Sequence, residues 1–177
     1  MTAELKPKET FAIRTSKLAV SVATAEALHS YSTLPSTLEF LGGERILKKK
    51  VENKLDVHSL IRTGFPTAAL QFLVKNVPEL SNPEILQKTI GMSLRTLQRK
   101  KSAESLLTSE QSGKVWDFAA IVTKATDVFG SQEDGLAWLM APAIALNDQR
   151  PIDLISTTAG RETVQDLLTR LDFGVYA

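Results

Sequence analysis

The sequence predicts an all-α protein, and three observations lead to this fold class. Apolar residues recur at intervals of three and four along most of the chain, and strand-like alternation is absent from residues 55–177. Prolines and glycines stand where these periodic segments begin and end, as they do at helix termini. A chain of 177 residues, 43% of them hydrophobic, is also long and apolar enough to bury a core between such helices.

The first strongly periodic segment is FPTAALQFLVKNVP, which predicts one helix. Pro66 is acceptable in the first turn of a helix, and Pro78 ends the periodic run because proline cannot continue a helix. The apolar residues that this helix places on one face are Leu70, Leu73, Val74 and Val77.

Two short helices joined at Gly91 come next. Asn82 is suited to cap the first helix and Pro83 to begin it, and the helix has room for about two turns before the glycine. Ser93 caps the second helix, which covers residues 94–100. Such a pair, with a small residue at the joint, is typical of a helix-turn-helix. The apolar residues expected to fix the angle between the two helices are Leu86, Ile90, Met92 and Leu97.

The outward side chains of the second helix indicate DNA binding. The stretch SLRTLQRKK, residues 93–101, contains four cations and no anion. Arginine pairs with guanine and glutamine with adenine, while serine and threonine bond phosphate oxygens. An ordinary helix with a solvated basic face is the alternative, because Gln87 and Lys100 stand where the motif usually has alanine and an apolar residue. The candidate DNA-binding residues are Ser93, Arg95, Thr96, Gln98, Arg99, Lys100 and Lys101.

A longer helix is predicted from SEQSGKVWDFAAIVTKATDVFG, with Gly130 as its C-terminal stop. Trp116 lies outside the apolar face of this helix and is a candidate contact with a second subunit. The residues on the apolar face are Val115, Phe118, Ala119, Val122, Thr126 and Phe129.

Residues 131–177 predict a small helical unit. A capping-box pair, Ser131 with Asp134, opens its first helix, and Pro142 ends that helix. PIDLI is a short helix with Pro151 in its first turn, and Gly160 leads into the last helix. The apolar residues of these helices are Leu136, Trp138, Leu139, Val164, Leu167, Leu168 and Leu171. Because so few apolar side chains do not stabilise a unit alone, it must pack against the preceding helices or against a partner.

Several other classes of protein are disfavoured. The chain has no cysteine, which excludes disulfides and thiolate chemistry, and His29 and His58 have no neighbouring ligands for a metal. Glycine-rich phosphate loops and the HExxH and GxSxG motifs are absent, so we expect no enzymatic activity and no cofactor. No apolar run approaches the roughly 20 residues of a membrane span, and KLAVSVATAEA is too short and polar for a signal peptide. We therefore expect a cytoplasmic protein with no membrane partner.

The lysine-rich run LKKKVENK, residues 47–54, has two interpretations. It is either the solvated face of a helix or a contact with DNA phosphates outside the groove. We favour the solvated helix face, because charge runs most often face water.

The chain closes with LTRLDFGVYA, in which Phe173, Val175 and Tyr176 surround Gly174. Chain termini usually fray into solvent and tolerate polar sequence, so an apolar segment of this kind is expected to be covered. Either the protein's own core or another protein covers it.

The order of short motifs along the chain agrees with a known family. In the C-terminal unit these motifs are AWL at residues 137–139, Pro142, Leu146, PIDLI, Gly160, Val164 and LLTRLDFGV. Upstream they are LGG at residues 41–43, RTGFPTAAL, IGMSLRTLQRK and LLTSEQSGKVWDFAAIVTKATDVFG. With these motifs, residues 40–177 resemble the Xre-type antitoxins of the Xre/MbcA/ParS group, which pair with RES-domain toxins. The resemblance does not extend to the segment before residue 40.

The resemblance implies two activities and three parts of the chain. An antitoxin of this family blocks a toxin that destroys NAD, and it binds the operator of the shared operon to repress transcription. The implied parts are an N-terminal segment of unassigned role (1–54), a helix-turn-helix DNA-binding domain (55–130) and a toxin-binding domain (131–177). The implied partners are a RES-domain toxin, operator DNA and a second copy of the chain, within a larger toxin–antitoxin complex. A stand-alone repressor and an antitoxin of another toxin class are the alternatives.

The resemblance also gives the C-terminal segment a role. Asp172 or the carboxylate of Ala177 would meet cationic groups that bind pyrophosphate in the toxin cleft, while Phe173 and Tyr176 fill apolar surface at its mouth. The alternative is that Phe173 and Val175 pack on the chain's own helices, and Trp138 likewise belongs either to an interface or to the core. The candidate toxin-binding residues are Trp138, Pro151, Arg170, Asp172, Phe173, Gly174, Val175, Tyr176 and Ala177.

Overall fold

The computed structural model describes residues 33–100 and 105–174 of the chain. Within these ranges the regular secondary structure is helical. β-pairing there is limited to two isolated bridges, Pro66 with Leu106 and Ala143 with Gln149. The predicted all-α fold class is therefore confirmed.

The helices follow one another with short connections. Residues 33–40 are helical. The helices that follow are α1 (Gly43–Leu47), α2 (Lys54–Thr63), α3 (Thr67–Asn76), α4 (Pro83–Ile90), α5 (Leu94–Arg99), α6 (Ser109–Phe129), α7 (Gln132–Met140), α8 (Pro151–Leu154) and α9 (Thr158–Asp172). Two 3₁₀ turns, Pro78–Ser81 and Ile144–Leu146, precede α4 and α8.

Side-chain caps fix where these helices begin. Asn82, Ser93 and Ser131 each accept a hydrogen bond from a backbone N–H two or three residues further on, as the sequence predicts. The Ser131 hydroxyl also donates to the carboxylate of Asp134 at 2.6 Å, so the predicted pair is in contact. A complete capping box opens α6, where Thr108 pairs with Gln111 in both directions.

One continuous hydrophobic core runs from Leu41 to Leu168, with α6 at its centre. Helices α2, α4, α7 and α9 all pack against α6. This arrangement buries Ile121 and Ala125 together with most of the predicted face, while Thr126 and Phe129 are only half-buried. The buried surface of α6 is therefore wider than the single apolar face that the sequence predicts, because neighbouring helices cover α6 from several sides.

The C-terminal unit packs against the preceding helices. Leu136, Leu139, Val164 and Leu168 lie in the same core as the residues of α3 and α4. The sequence leaves open whether this unit packs on the preceding helices or on a partner. In the structure it packs on the preceding helices. These core side chains are therefore covered without a partner.

The last helix begins earlier than expected. Thr157 caps α9, so Gly160 lies inside its first turn instead of before it. A Cβ atom on Gly160 would lie 2.1 Å from the carbonyl oxygen of Leu154. Glycine at this position therefore allows α9 to approach the end of α8 closely.

The lysine-rich run is not a helix face. Lys48 ends α1 with a left-handed φ of 55°, and residues 48–53 form a non-helical connection to α2. Lys48, Lys49 and Lys50 are exposed in this connection. The expectation of a solvated helix face was wrong, because the left-handed turn at Lys48 stops the helix before the lysines.

Candidate functional site

The short helices α4 and α5 are joined at Gly91, where the sequence predicts a turn between two helices. Gly91 ends α4 with a φ of 75°, a left-handed conformation that favours glycine. Ser93 then opens α5 by accepting a hydrogen bond of 3.2 Å from the N–H of Thr96. The four residues expected to fix the angle between the helices are all buried: Leu86, Ile90, Met92 and Leu97.

The outer face of α5 carries long polar side chains. Arg95, Gln98 and Arg99 are exposed, and residues 91–100 contain no anion. Ser93 and Thr96 share a hydroxyl–hydroxyl hydrogen bond of 2.9 Å at the start of the helix. This face can offer two guanidinium groups and one amide to base edges and phosphates.

The two lysines after α5 differ from its arginines. Lys100 is half-buried and donates from Nζ to the carbonyl oxygen of Leu106 at 3.2 Å. Lys100 therefore links the end of α5 to the backbone of Leu106. The candidate Lys101 lies outside the described residues.

A chain of ion pairs joins α4 to the start of α8. Lys88 contacts Glu84 at 2.8 Å on its own helix and Asp153 at 3.5 Å across the interface. Arg150 holds the same Asp153 carboxylate with two hydrogen bonds of 2.7 and 3.1 Å. The hydrogen bond from Arg150 lowers the pKa of Asp153, and Lys88 lowers the pKa of Glu84.

Sequence reasoning did not identify this link. The signal available was the spacing of Glu84 with Lys88 and of Arg150 with Asp153, which places opposite charges on neighbouring turns. Spacing alone does not show that the two pairs meet, since their contact depends on how α8 packs on α4.

A second polar link joins α6 to α9. Arg161 Nε lies 3.1 Å from a carboxylate oxygen of Asp117, and Lys124 Nζ donates to the hydroxyl of Thr169. Burial raises the pKa of Asp117, and this effect exceeds the opposite influence of Arg161. The last helix is therefore attached to α6 by polar contacts as well as by its apolar face.

The C-terminal end of α9 presents several of the candidate toxin-binding residues to solvent. Arg170 and Asp172 are exposed, and Phe173 retains 50% of its exposure beyond the last turn. Gly174 has a φ of 67°, a left-handed conformation that favours glycine after a helix. The candidates Val175, Tyr176 and Ala177 lie outside the described residues.

The other candidates are less accessible. Trp138 is half-buried and packs on Phe129 with ring centroids 5.3 Å apart. Pro151 is buried at the first position of α8. Trp116 is half-buried beside a cavity of about 520 Å³ between α2 and α6. Pro151 thus positions the chain instead of offering a surface.

Within residues 33–100 and 105–174 no group of three or more potential metal ligands occurs, and His58 is exposed on α2. His29, which was also expected to have no neighbouring metal ligands, lies outside the described residues. No helix in the same ranges has the length and apolar character needed to cross a bilayer.

Comparison with known proteins bears first on the C-terminal part of the chain. Residues 124–174 match the family described as the antitoxin Xre/MbcA/ParS C-terminal toxin-binding domain. A protein named Antitoxin Xre from Yersinia enterocolitica is 32% identical over 95 residues, which cover 53% of this chain and 64%, just under two thirds, of that protein. The chain is therefore similar to Xre-type antitoxins, and its C-terminal part matches their toxin-binding domain.

Two further proteins named Antitoxin Xre are similar over longer stretches. The one from Photorhabdus laumondii is 22% identical over 120 residues, covering 67% of this chain and 80% of that protein. The one from Pseudomonas putida is 25% identical over 125 residues, covering 71% and 76%. In this chain the family match begins inside α6 and ends at Gly174.

Proposed function

We propose that this chain is an Xre-type antitoxin of a type II toxin–antitoxin system and that it neutralises a RES-domain toxin that degrades NAD. The observation that carries the proposal is the match of residues 124–174 with a toxin-binding domain. The names of the relatives support the antitoxin role. The RES domain and NAD come from the resemblance of the sequence motifs to this family.

In the proposed mechanism the C-terminal segment blocks the active site of the toxin. Phe173 at the end of α9 is half-exposed, which leaves its ring available to a toxin cleft. A cleft for a dinucleotide needs cationic groups for the pyrophosphate, which Asp172 or the terminal carboxylate of Ala177 would meet. Phe173, Val175 and Tyr176 supply apolar contacts, and Arg170 and Trp138 extend the interface along the helical surface.

The same chain is proposed to bind operator DNA through α5. In a helix-turn-helix the second helix enters the major groove, and its first residues contact base edges. Arg95, Gln98 and Arg99 are exposed and able to do so, while Ser93 and Thr96 lie at the helix start, where phosphates approach. The lysines at 100 and 101 would add phosphate contacts. Because one recognition helix contacts only a few base pairs, a homodimer on a two-fold operator is proposed, within a larger complex with the toxin.

The proposal describes a cytoplasmic binding protein and transcription repressor, with no catalytic activity and no cofactor of its own. A stand-alone repressor without a toxin partner remains a second candidate, favoured by the geometry of α4–α5. It differs in one measurable respect, since it would bind operator DNA and leave a RES-domain toxin active.

The test first looks for a RES-domain toxin encoded beside this chain, and then measures NAD consumption by that toxin with increasing amounts of the antitoxin. We expect NAD loss to stop near a fixed molar ratio of the two proteins. Unchanged NAD loss at excess antitoxin, together with intact operator binding, would instead favour the stand-alone repressor.

A further inference from the structure

The connection between α7 and α8, residues 141–150, is a loop closed by backbone hydrogen bonds. Ala143 is paired with Gln149 through a backbone hydrogen bond of 3.1 Å, and the N–H of Asp148 donates to the carbonyl oxygen of Ala143 at 3.1 Å. Asn147 and Asp148 adopt left-handed φ values of 54° and 58°. Successive left-handed residues persist only where the surrounding structure holds them.

The loop is attached firmly to the core at both sides. Leu146 is 4% exposed and inserts into the core, and Pro151 and Ile152 are buried directly after the loop. Arg150 closes the base with its two hydrogen bonds to Asp153. The backbone of the loop is therefore fixed before any partner binds.

This fixed loop presents an apolar surface to solvent. Ile144 is 89% exposed, which exceeds the exposure of Leu55, Leu106 and Phe173, the other exposed large apolar residues in the described ranges. Three further apolar residues of the loop are exposed beside it: Ala141, Pro142 and Ala145. Polar residues follow immediately at Asn147, Asp148 and Gln149, all of them exposed.

An apolar centre with a polar edge is typical of a protein–protein interface. An exposed isoleucine contributes nothing to the hydrophobic stabilisation of its own chain, whereas covering it is favourable. A single exposed apolar residue needs no explanation, but neighbouring exposed apolar residues on a rigid loop indicate a binding surface. The loss of conformational entropy on binding is small here, since the loop is already ordered.

We infer that residues 141–145, centred on Ile144, form a second contact surface for the toxin, separate from the C-terminal segment. The inference rests on the proposed function, because the partner is the neutralised toxin. The loop lies near the middle of residues 124–174, the part of the chain that matches a toxin-binding domain. The small side chains beside Ile144 allow a protein surface with a shallow apolar depression to approach closely.

The test compares Ile144→Asp with the parent chain in a titration against the RES-domain toxin encoded beside it. We expect Kd to rise at least tenfold, because a charge replaces a covered apolar anchor. Ile144→Leu keeps the apolar volume and should leave Kd within about threefold of the parent value. The matched control is Leu55→Asp, which changes a side chain of 76% exposure on α2 and should not alter Kd. Circular dichroism melting of all variants checks the fold.

The outcomes separate this inference from the proposed function. Failure of the parent chain to bind the toxin would overturn both. Binding by the parent and by Ile144→Asp with equal Kd would overturn the inference alone. If Ile144→Asp instead converted a dimer of the chain to monomers, with toxin affinity unchanged, the surface would belong to a second copy, and the inference would also fail. A selective loss of toxin affinity in Ile144→Asp supports it.

Discussion

The α4–α5 pair and the C-terminal end of α9 are both proposed binding surfaces, but they are built differently. In α4–α5, buried apolar residues, a left-handed glycine and a serine cap determine the position of every outward side chain. At the end of α9, Phe173 keeps 50% of its exposure, and the core does not cover it. The first surface is complete within the chain, whereas the second requires a partner to bury its apolar side chain.

The largest expected effect separates folding from inhibition at the second surface. Deleting residues 172–177 should abolish most of the protection of NAD, because the segment proposed to enter the toxin cleft is removed. The fold should survive, since Val164, Leu167 and Leu168 remain buried along α9. Melting curves and an NAD assay measure the two effects.

Single substitutions refine that test. Asp172→Ala and Tyr176→Ala should each weaken inhibition less than the deletion, because interface energy is shared among several anchors. Asp166→Ala, which removes an exposed carboxylate earlier in α9, serves as the matched control and should inhibit like the parent. A deletion that lowers the melting temperature and damages operator binding as well would indicate that the segment belongs to the core.

The next effect concerns the first surface. Replacing Arg95 and Arg99 with alanine should weaken operator binding by about 1–3 kcal/mol for each arginine that pairs with a base edge. If an arginine instead neutralises a phosphate, replacing it should reduce the salt dependence of operator binding. Arg62→Ala, which removes an exposed arginine from α2, is the control. Fluorescence anisotropy at several salt concentrations measures both quantities. Parent-like binding by the double variant at moderate salt would exclude α5 as the recognition helix.

A smaller effect tests the packing that supports the second surface. Gly160→Ala should destabilise the fold by about 1–3 kcal/mol, since the added Cβ would collide with the carbonyl oxygen of Leu154. Gly113→Ala is the matched control in α6, where the nearest atom to an added Cβ is 3.9 Å away. That change should be neutral or stabilise the helix by up to about 1 kcal/mol. Equal melting temperatures for the two variants would contradict the close approach of α9 to α8.

The smallest expected effect is a pH dependence of stability that arises from the ion pairs between α4 and α8. Arg150 lowers the pKa of Asp153 in the folded protein, so the unfolded chain binds the proton more readily. The stabilisation is therefore present above the ordinary carboxyl pKa of about 3.9 and is lost as the pH falls through the lowered value. Asp153→Asn should reduce stability slightly near neutral pH and make no difference in stronger acid. Parallel stability curves for parent and variant down to a pH of about 2 would rule out this contribution.

Much of the helical structure could be predicted from the sequence, because its signals are local. Asn82, Ser93 and Gly91 act through backbone hydrogen bonds and φ angles of their own segment, and each has the predicted role. The lysine run at 48–50 was assigned wrongly, because composition does not reveal that Lys48 adopts a left-handed conformation. The contact of Lys88 with Asp153 could not be predicted from the sequence either, since it depends on tertiary packing.

For the candidate sites as well, features with local signals could be predicted and features that depend on tertiary packing could not. The exposure of Arg95, Gln98 and Arg99 follows from helical periodicity once Leu97 is assigned to the core. Pro151 was chosen from a motif, and the structure buries it, because motif membership does not distinguish a packed residue from an exposed one. Ile144 was not chosen at all, since an isolated apolar residue in a loop gives no periodic signal.

The central claim is that one chain carries two separable binding surfaces, α5 for DNA and the end of α9 for the toxin. The most direct test measures operator binding and inhibition of NAD breakdown for the parent chain, the Arg95/Arg99 double variant and the chain lacking residues 172–177. We predict that the double variant loses operator binding and retains inhibition, and that the truncated chain does the reverse. Loss of both activities in either variant, with an unchanged melting curve, would contradict the claim.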